Sequence, residues 1–183
     1  MSADPPHSTE ADLIARLKRG DSDAADEFFD LYAARIRRFI ANALGSQSAD
    51  ADDLLQDTII ALAEAIPFFR GESSLFTFAC AIAHRKVLTA FRSSARRSRL
   101  TQAAATMLDS QPLDSALSNA NNSDVARAFA RLTPEYREIL ALKYVEEISV
   151  AEIARVLLLS EHAIESRLAR ARKALRKSLE ESR

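Results

Sequence analysis

The sequence has no tryptophan, a single cysteine (Cys80), three glycines and five prolines in 183 residues. One cysteine excludes an internal disulfide framework and any zinc site built on several thiolates. Scarce glycine and proline, with aromatics at only 7%, exclude a β-sandwich or barrel, which needs frequent turn residues and runs of β-formers. The three histidines, His7, His84 and His162, stand far apart, and none forms a two-histidine metal motif. No run of about eighteen apolar residues is present to cross a membrane. The opening MSADPPHSTEAD does not read as a signal peptide, so a soluble, cytoplasmic protein is expected. There is no Gly-rich phosphate loop, no Gly-x-Ser-x-Gly elbow and no His-Glu-x-x-His. The sequence therefore points to no enzyme, no cofactor and no metal.

What is present favours helices. Apolar residues make up 48% and charged residues 28% of the chain, enough to bury a core. Alanine, leucine, arginine, glutamate and aspartate dominate, and these point to an all-α fold. The net charge of −1 hides a strong segregation. Between Phe39 and Phe69 there is no Lys or Arg, only Asp50, Asp52, Asp53, Asp57 and Glu64. From His84 to Arg99 there is no acid, but Arg85, Lys86, Arg92, Arg96, Arg97 and Arg99. A second acid-free run carries Arg167, Arg170, Arg172, Lys173, Arg176 and Lys177. One acidic protein-binding surface and two basic phosphate-binding surfaces would produce this pattern; so would solvated faces of a charge-rich helical protein.

Periodicity divides the chain into two small helical domains, 10–93 and 124–183, joined by a flexible linker over 94–123. Residues 1–9 lack periodicity and read as a disordered lead-in. Helical patterning starts near Asp12, pauses at Gly20-Asp21-Ser22, resumes through Phe28 to Ile40 and stops around Gly45-Ser46. A further helix runs from about Asp50 to Ile66, ended by Pro67, because the residue before proline avoids the α region. A loop follows, and Ser74 is placed to cap a helix that continues to about Arg92. The stretch from Ser94 to Ser123 is polar and poor in large apolar residues, as a tether is. Beyond it, Thr133 is expected to cap a helix with Pro134 at its first position, where a missing N–H costs nothing. Ser149-x-x-Glu152 is a capping box, and Ser160 caps the last and longest helix.

Three surfaces follow from these helices. At about 100° per residue, Leu55, Ile59, Leu62 and Ile66 share a side expected to be core. Asp53, Asp57 and Glu64 fall opposite, with Ile60 among them. The helix dipole accounts for acids at the N-terminus, but not for an exposed isoleucine framed by carboxylates, which suits a basic partner helix. The next helix interleaves Phe76, Phe78 and Phe91 with Arg85, Lys86 and Arg92. Cations with aromatic faces hold single-stranded DNA, although Phe78 reads better as core. The C-terminal unit reads as a helix-turn-helix. Ile153 and Leu157 line the first helix, and Ile164, Leu168, Ala171 and Leu175 line the second. That leaves His162, Glu165, Ser166, Ala169, Arg170 and Lys173 outward, where they could enter a major groove. A purely structural helical hairpin has the same apolar pattern.

At these residues the chain resembles the sigma factors of bacterial RNA polymerase, of the small extracytoplasmic-function type. ADLIARLKRGDSDAADEFFDLYAARIRRFI resembles the opening helices of sigma region 2, and DADDLLQDTIIAL its core-binding helix. FRGESSLFTFACAIAHRKVLTAFR resembles the segment that recognises and melts the minus-ten element. LTPEYREILALKYVEEISVAEIARVLLLSEHAIESRLARARKALRKSL resembles region 4, the reader of the minus-thirty-five element. The resemblance implies that Asp53, Gln56, Asp57, Ile60 and Glu64 dock on the clamp helices of the polymerase beta-prime subunit. It implies that the loop Phe69, Arg70, Gly71, Glu72, Ser73 and Ser74 captures a flipped base, while Arg85, Lys86 and Arg92 hold the minus-ten strand. His162, Glu165, Ser166, Arg167, Arg170 and Lys173 would meet the minus-thirty-five DNA. Core RNA polymerase, promoter DNA and an anti-sigma factor are the partners implied.

The chain also departs from the family pattern. Leu158 stands where a Gly is usual at the helix-turn-helix turn. Holding a leucine at positive φ costs on the order of 1 kcal/mol or more, so a differently shaped turn is expected. His162 replaces a second glycine, and Glu165 replaces a lysine. Phe78, Arg85 and Thr89 replace a tryptophan, an asparagine and an aspartate. Two other readings stay open on the residues alone: a sigma-like helix-turn-helix regulator that does not initiate transcription, and a helical interaction module without a DNA role.

Overall fold

The computed structural model describes residues 9–44, 50–102 and 124–181. Most of the lead-in, the stop at Gly45-Ser46 and positions 103–123 of the tether lie outside the described residues. Every regular element described is helical: α1 (Glu10–Lys18), α2 (Ser22–Leu44), α3 (Ala51–Ala65), α4 (Leu75–Gln102), α5 (Asp124–Ala130), α6 (Pro134–Leu140), α7 (Val150–Leu157) and α8 (Glu161–Glu180).

Local chemistry sets most boundaries. Thr9 Oγ1 accepts from the Asp12 N–H and opens α1. Gly20, at φ +75°, turns the chain between α1 and α2, a conformation that glycine adopts without steric cost. Pro67 tightens the end of α3 into a 3₁₀ turn over Ile66–Phe68. Ser149 and Glu152 form both halves of the capping box at α7, and Ser160 Oγ accepts from the Ala163 N–H at α8. Thr133 precedes Pro134 at the start of α6, but its hydroxyl makes no capping bond; its carbonyl accepts from Tyr136 and Arg137 instead.

Helix α4 runs through Gln102, so positions 94–102, expected in the tether, continue the helix. Nothing in Ser94 to Gln102 breaks it: that segment contains neither Gly nor Pro, and arginine and alanine are good helix formers. In α3 the fully buried face is Ala51, Leu54, Thr58 and Leu62, with Leu55 and Ile59 only half-buried. Leu62 and Ile66 are buried as expected, while Leu54 and Thr58 take the places expected of Leu55 and Ile59. Thr58 is what hid this, since its hydroxyl is satisfied by the Leu54 carbonyl at 2.6 Å and so can be buried. The phenylalanines of α4 are core rather than platforms for bases: Phe76 is buried, and Phe78 and Phe91 pack half-buried against the cluster.

Helices α2, α3 and α4 pack on one another in the first unit, and α8 gathers α5, α6 and α7 in the second. The two units are also in contact. Helix α4 packs on α7 and α2 packs on α6, and one apolar cluster spans both. The two helical units are thus docked on each other in this structure.

Leu158 ends α7 at φ 55° and ψ 43°, the left-handed cap conformation. The turn therefore has the shape a glycine would give it, and a strained leucine occupies it. Its side chain is 59% exposed, so little packing offsets the strain. Leu158→Gly is expected to stabilise the protein by about 0.5–1 kcal/mol: relief of roughly 1–2 kcal/mol, less the entropy a glycine adds to the unfolded chain. Urea unfolding checks this, and an unchanged or lower midpoint would refute it.

Candidate protein and nucleic-acid interfaces

The acidic face of α3 is built by its helical register. With Ala51, Leu54, Thr58 and Leu62 turned inward, Asp53, Gln56, Asp57, Ile60 and Glu64 all lie on the exposed side. Ile60 is 53% exposed, and none of these residues pairs with another described side chain. Asp52 differs: Arg37 grips it through two hydrogen bonds of 2.6 and 3.0 Å, and that contact holds its carboxyl below the usual range. The carboxylates open to a partner are thus Asp53, Asp57 and Glu64. One turn beyond Glu64, Phe68 is 82% exposed. Sequence reasoning assigned it to a loop and gave it no role. An apolar ring directly after a helix-ending proline was the signal that could have found it.

The loop between α3 and α4 has an anchored base and an open tip. Phe69 is 6% exposed and its ring lies 4.6 Å from that of Phe78, while its carbonyl accepts from Lys18 Nζ at 2.6 Å. It secures the loop from below and presents no face for a base. Arg70, Gly71 and Glu72 are exposed, and Gly71 sits at φ +74° with open space around it. Ser74 Oγ accepts from the Thr77 N–H at 3.1 Å and caps α4, as expected. Ser73 is half-buried, and its hydroxyl donates to the Ser74 carbonyl. Two turns apart on α4, Arg85 and Arg92 are exposed, with Lys86 half-buried beside them.

In the second unit, α8 buries Ile164, Leu168 and Ala171. Leu175, on the same side, is half-buried. His162, Glu165, Ser166, Arg170 and Lys173 are exposed, as the register requires, and Arg167 is half-buried at their edge. Arg170 Nε donates to the Ser166 carbonyl at 3.3 Å, and Glu165 pairs with no other described side chain.

His84 meets Glu138 of α6 at 2.9 Å in a buried pair. Burial works against ionisation of Glu152, but bonds from the Ser149 side chain and backbone, from Thr77 and from the Ser74 backbone outweigh it and lower its pKa. Burial pushes the Cys80 thiol up, so that sulfur is a packed apolar group rather than a nucleophile. Among the described residues no helix is long and apolar enough to cross a membrane. Nor, among them, do three or more His, Cys, Asp or Glu side chains gather to hold a metal.

Comparison with known proteins bears on the whole chain. Residues 28–97 match the family model of Sigma-70 region 2, and residues 123–175 that of Sigma-70, region 4. Two sigma-70 regions in this order define the class. The chain is 31% identical to the ECF RNA polymerase sigma factor BldN of Streptomyces coelicolor, over 97% of this chain and 69% of that one. It is 27% identical to the ECF RNA polymerase sigma factor SigW of Bacillus subtilis, over 91% of this chain and 94% of the relative. The fold is similar to that of the sigma factor RpoE solved with the anti-sigma factor NepR from Bartonella quintana. That match has a TM-score of 0.68 and 23% identity, covering 86% of this chain and 98% of the other. This chain belongs to the extracytoplasmic-function RNA polymerase sigma factors.

Proposed function

We propose that this protein joins core RNA polymerase and directs it to promoters, acting in the cytoplasm by binding rather than by catalysis. The observation that carries this reading is the pair of unsatisfied surfaces on one chain. One is the Asp53/Asp57/Ile60/Glu64 face, shaped for a basic partner helix; the other is an exposed recognition face on a capped α8. In this reading Asp53, Gln56, Asp57, Ile60 and Glu64 dock on the beta-prime clamp helices, with the exposed Phe68 extending the apolar part. The loop tip at Arg70, Gly71 and Glu72 receives a base flipped from the minus-ten element, while Arg85, Lys86 and Arg92 hold the strand. His162, Glu165 and Ser166 face the minus-thirty-five base edges, and Arg167, Arg170 and Lys173 hold phosphates. An anti-sigma factor is the expected antagonist.

Run-off transcription with purified core polymerase tests the reading. The expected result is a discrete promoter-dependent transcript that requires this protein. DNA binding without any such transcript would make it a helix-turn-helix regulator instead.

A further inference from the structure

Helix α1 has only nine residues, yet it reaches the loop between α3 and α4 from both of its ends. At the C-terminal end, Lys18 Nζ donates to the Phe69 carbonyl at 2.6 Å. At the N-terminal end, Glu10 Oε1 accepts from the Leu75 N–H at 2.7 Å. These two side chains leave the helix about 12 Å apart along its axis, at 1.5 Å per residue. The length of α1 therefore sets the span between the points where the loop begins and ends. Both contacts go to backbone, so they fix the course of the chain and leave the side chains between them free. Neither Glu10 nor Lys18 makes another side-chain hydrogen bond among the described residues.

The helix that carries them is itself firmly placed. Leu13 is buried in the core, and Arg16 donates to Asp21 at 3.0 Å and to Glu27 of α2 at 2.7 Å. Helix α1 also packs on the 3₁₀ turn that leads into the loop. Within the bracket, the Phe69 ring is fixed against Phe78, while Arg70, Gly71 and Glu72 remain exposed. The tip has an outside contact as well, since Arg155 of α7 donates to the Glu72 carbonyl at 2.6 Å.

We propose that α1 is a splint for the loop that receives the minus-ten base, with Lys18 and Glu10 as its positioning residues. The inference rests on the sigma-factor reading above and deepens it. Taking a base out of its stack costs free energy that a fitting receptor must recover. A loop with drifting ends has to be ordered at the moment of capture, and that ordering subtracts from binding. With both ends held in advance, only the tip has to settle around the base. Lys18 and Glu10 touch no DNA in this arrangement and act through the backbone at Phe69 and Leu75.

Lys18→Met combined with Glu10→Ala removes the donor and the acceptor. Lys18→Arg combined with Glu10→Gln keeps both and is the matched control. In the free protein, amide exchange over residues 70–75 should be about tenfold faster for the first pair and unchanged for the second, with equal helix content. In holoenzyme, an abasic scan of the minus-ten non-template strand locates the captured base as the position where the parent loses open complexes, by about tenfold. The first pair should bind core polymerase as the parent does but form about tenfold fewer open complexes on the intact promoter. At the abasic position it should lose less than about twofold more, because capture is already impaired. A protein that is merely less stable would lose open complexes on both templates alike and keep the full abasic penalty. Unchanged exchange in the first pair, or a full abasic penalty, would overturn the proposal, and so would a second pair as defective as the first. A parent that yields no promoter-dependent transcript sinks the sigma-factor reading instead, while faster exchange in the first pair still upholds the splint.

Discussion

Reversing two charges on α3, Asp53→Lys together with Asp57→Lys, will weaken binding to core polymerase by about 3 kcal/mol or more, over a hundredfold. The size follows from geometry. Both carboxylates are exposed beside Ile60 and pair with no other described side chain, so a basic partner would bury them against its own cations. Reversal replaces two attractions with two like-charge contacts in a desolvating interface, where such contacts cost several kcal/mol. The helix itself should survive. Asp52 stays in the first turn, held by Arg37, and the lost dipole interaction at Asp53 is worth only about 0.3–1 kcal/mol. Co-purification with core enzyme and circular dichroism measure the two halves of this statement. Unchanged co-purification, with helicity intact, would remove α3 as the docking face.

The same experiment shows whether α3 also helps to hold the two units together. No bond from Asp53 or Asp57 to the second unit is present among the described residues, so the double reversal should leave the compactness of the free protein as it is. A variant that lost polymerase binding and also expanded would mean that α3 contributes to the contact between the units.

What the sequence could and could not convey divides along a physical line. Helix identities, the Ser149–Glu152 box, the Ser160 cap and the inward residues of α8 follow from local periodicity and short-range hydrogen bonding. A single chain displays these directly. The recognition face at His162, Glu165 and Ser166 was legible for the same reason: it is what remains when Ile164, Leu168 and Ala171 turn inward. The contact between the units was not legible. Glu138, Glu146 and His84 carry polar side chains, and each is buried against a partner distant in sequence. Phe69 shows the converse. Its place in a polar loop suggested exposure, and contact with Phe78 and Lys18 reversed that. Leu158 was the sharpest case. Its side chain argued against the turn, yet the turn formed, because the packing of Ile153, Leu157, Ile164 and Leu168 across it outweighs the local strain.

Glu165→Lys on the recognition helix will change both affinity and selectivity, in opposite directions. Glu165 is exposed among Ser166, Arg167 and Arg170, three residues suited to a DNA surface. There an acid repels phosphate but can accept a hydrogen bond from a cytosine amino group. Replacing it with lysine should tighten non-specific binding and steepen its salt dependence, since each added phosphate contact moves the log–log slope by about 0.9. Preference at one upstream base pair should relax by roughly 1–3 kcal/mol, the worth of a specific base contact. Arg167→Ala should act differently, weakening all sequences alike and flattening the slope. Both variants are best measured in holoenzyme. A library of upstream elements at two salt concentrations reads both quantities together. If Glu165→Lys leaves the sequence profile and the salt slope unchanged, Glu165 does not face DNA, and the reading face of α8 must lie toward Arg172 and Arg176 instead.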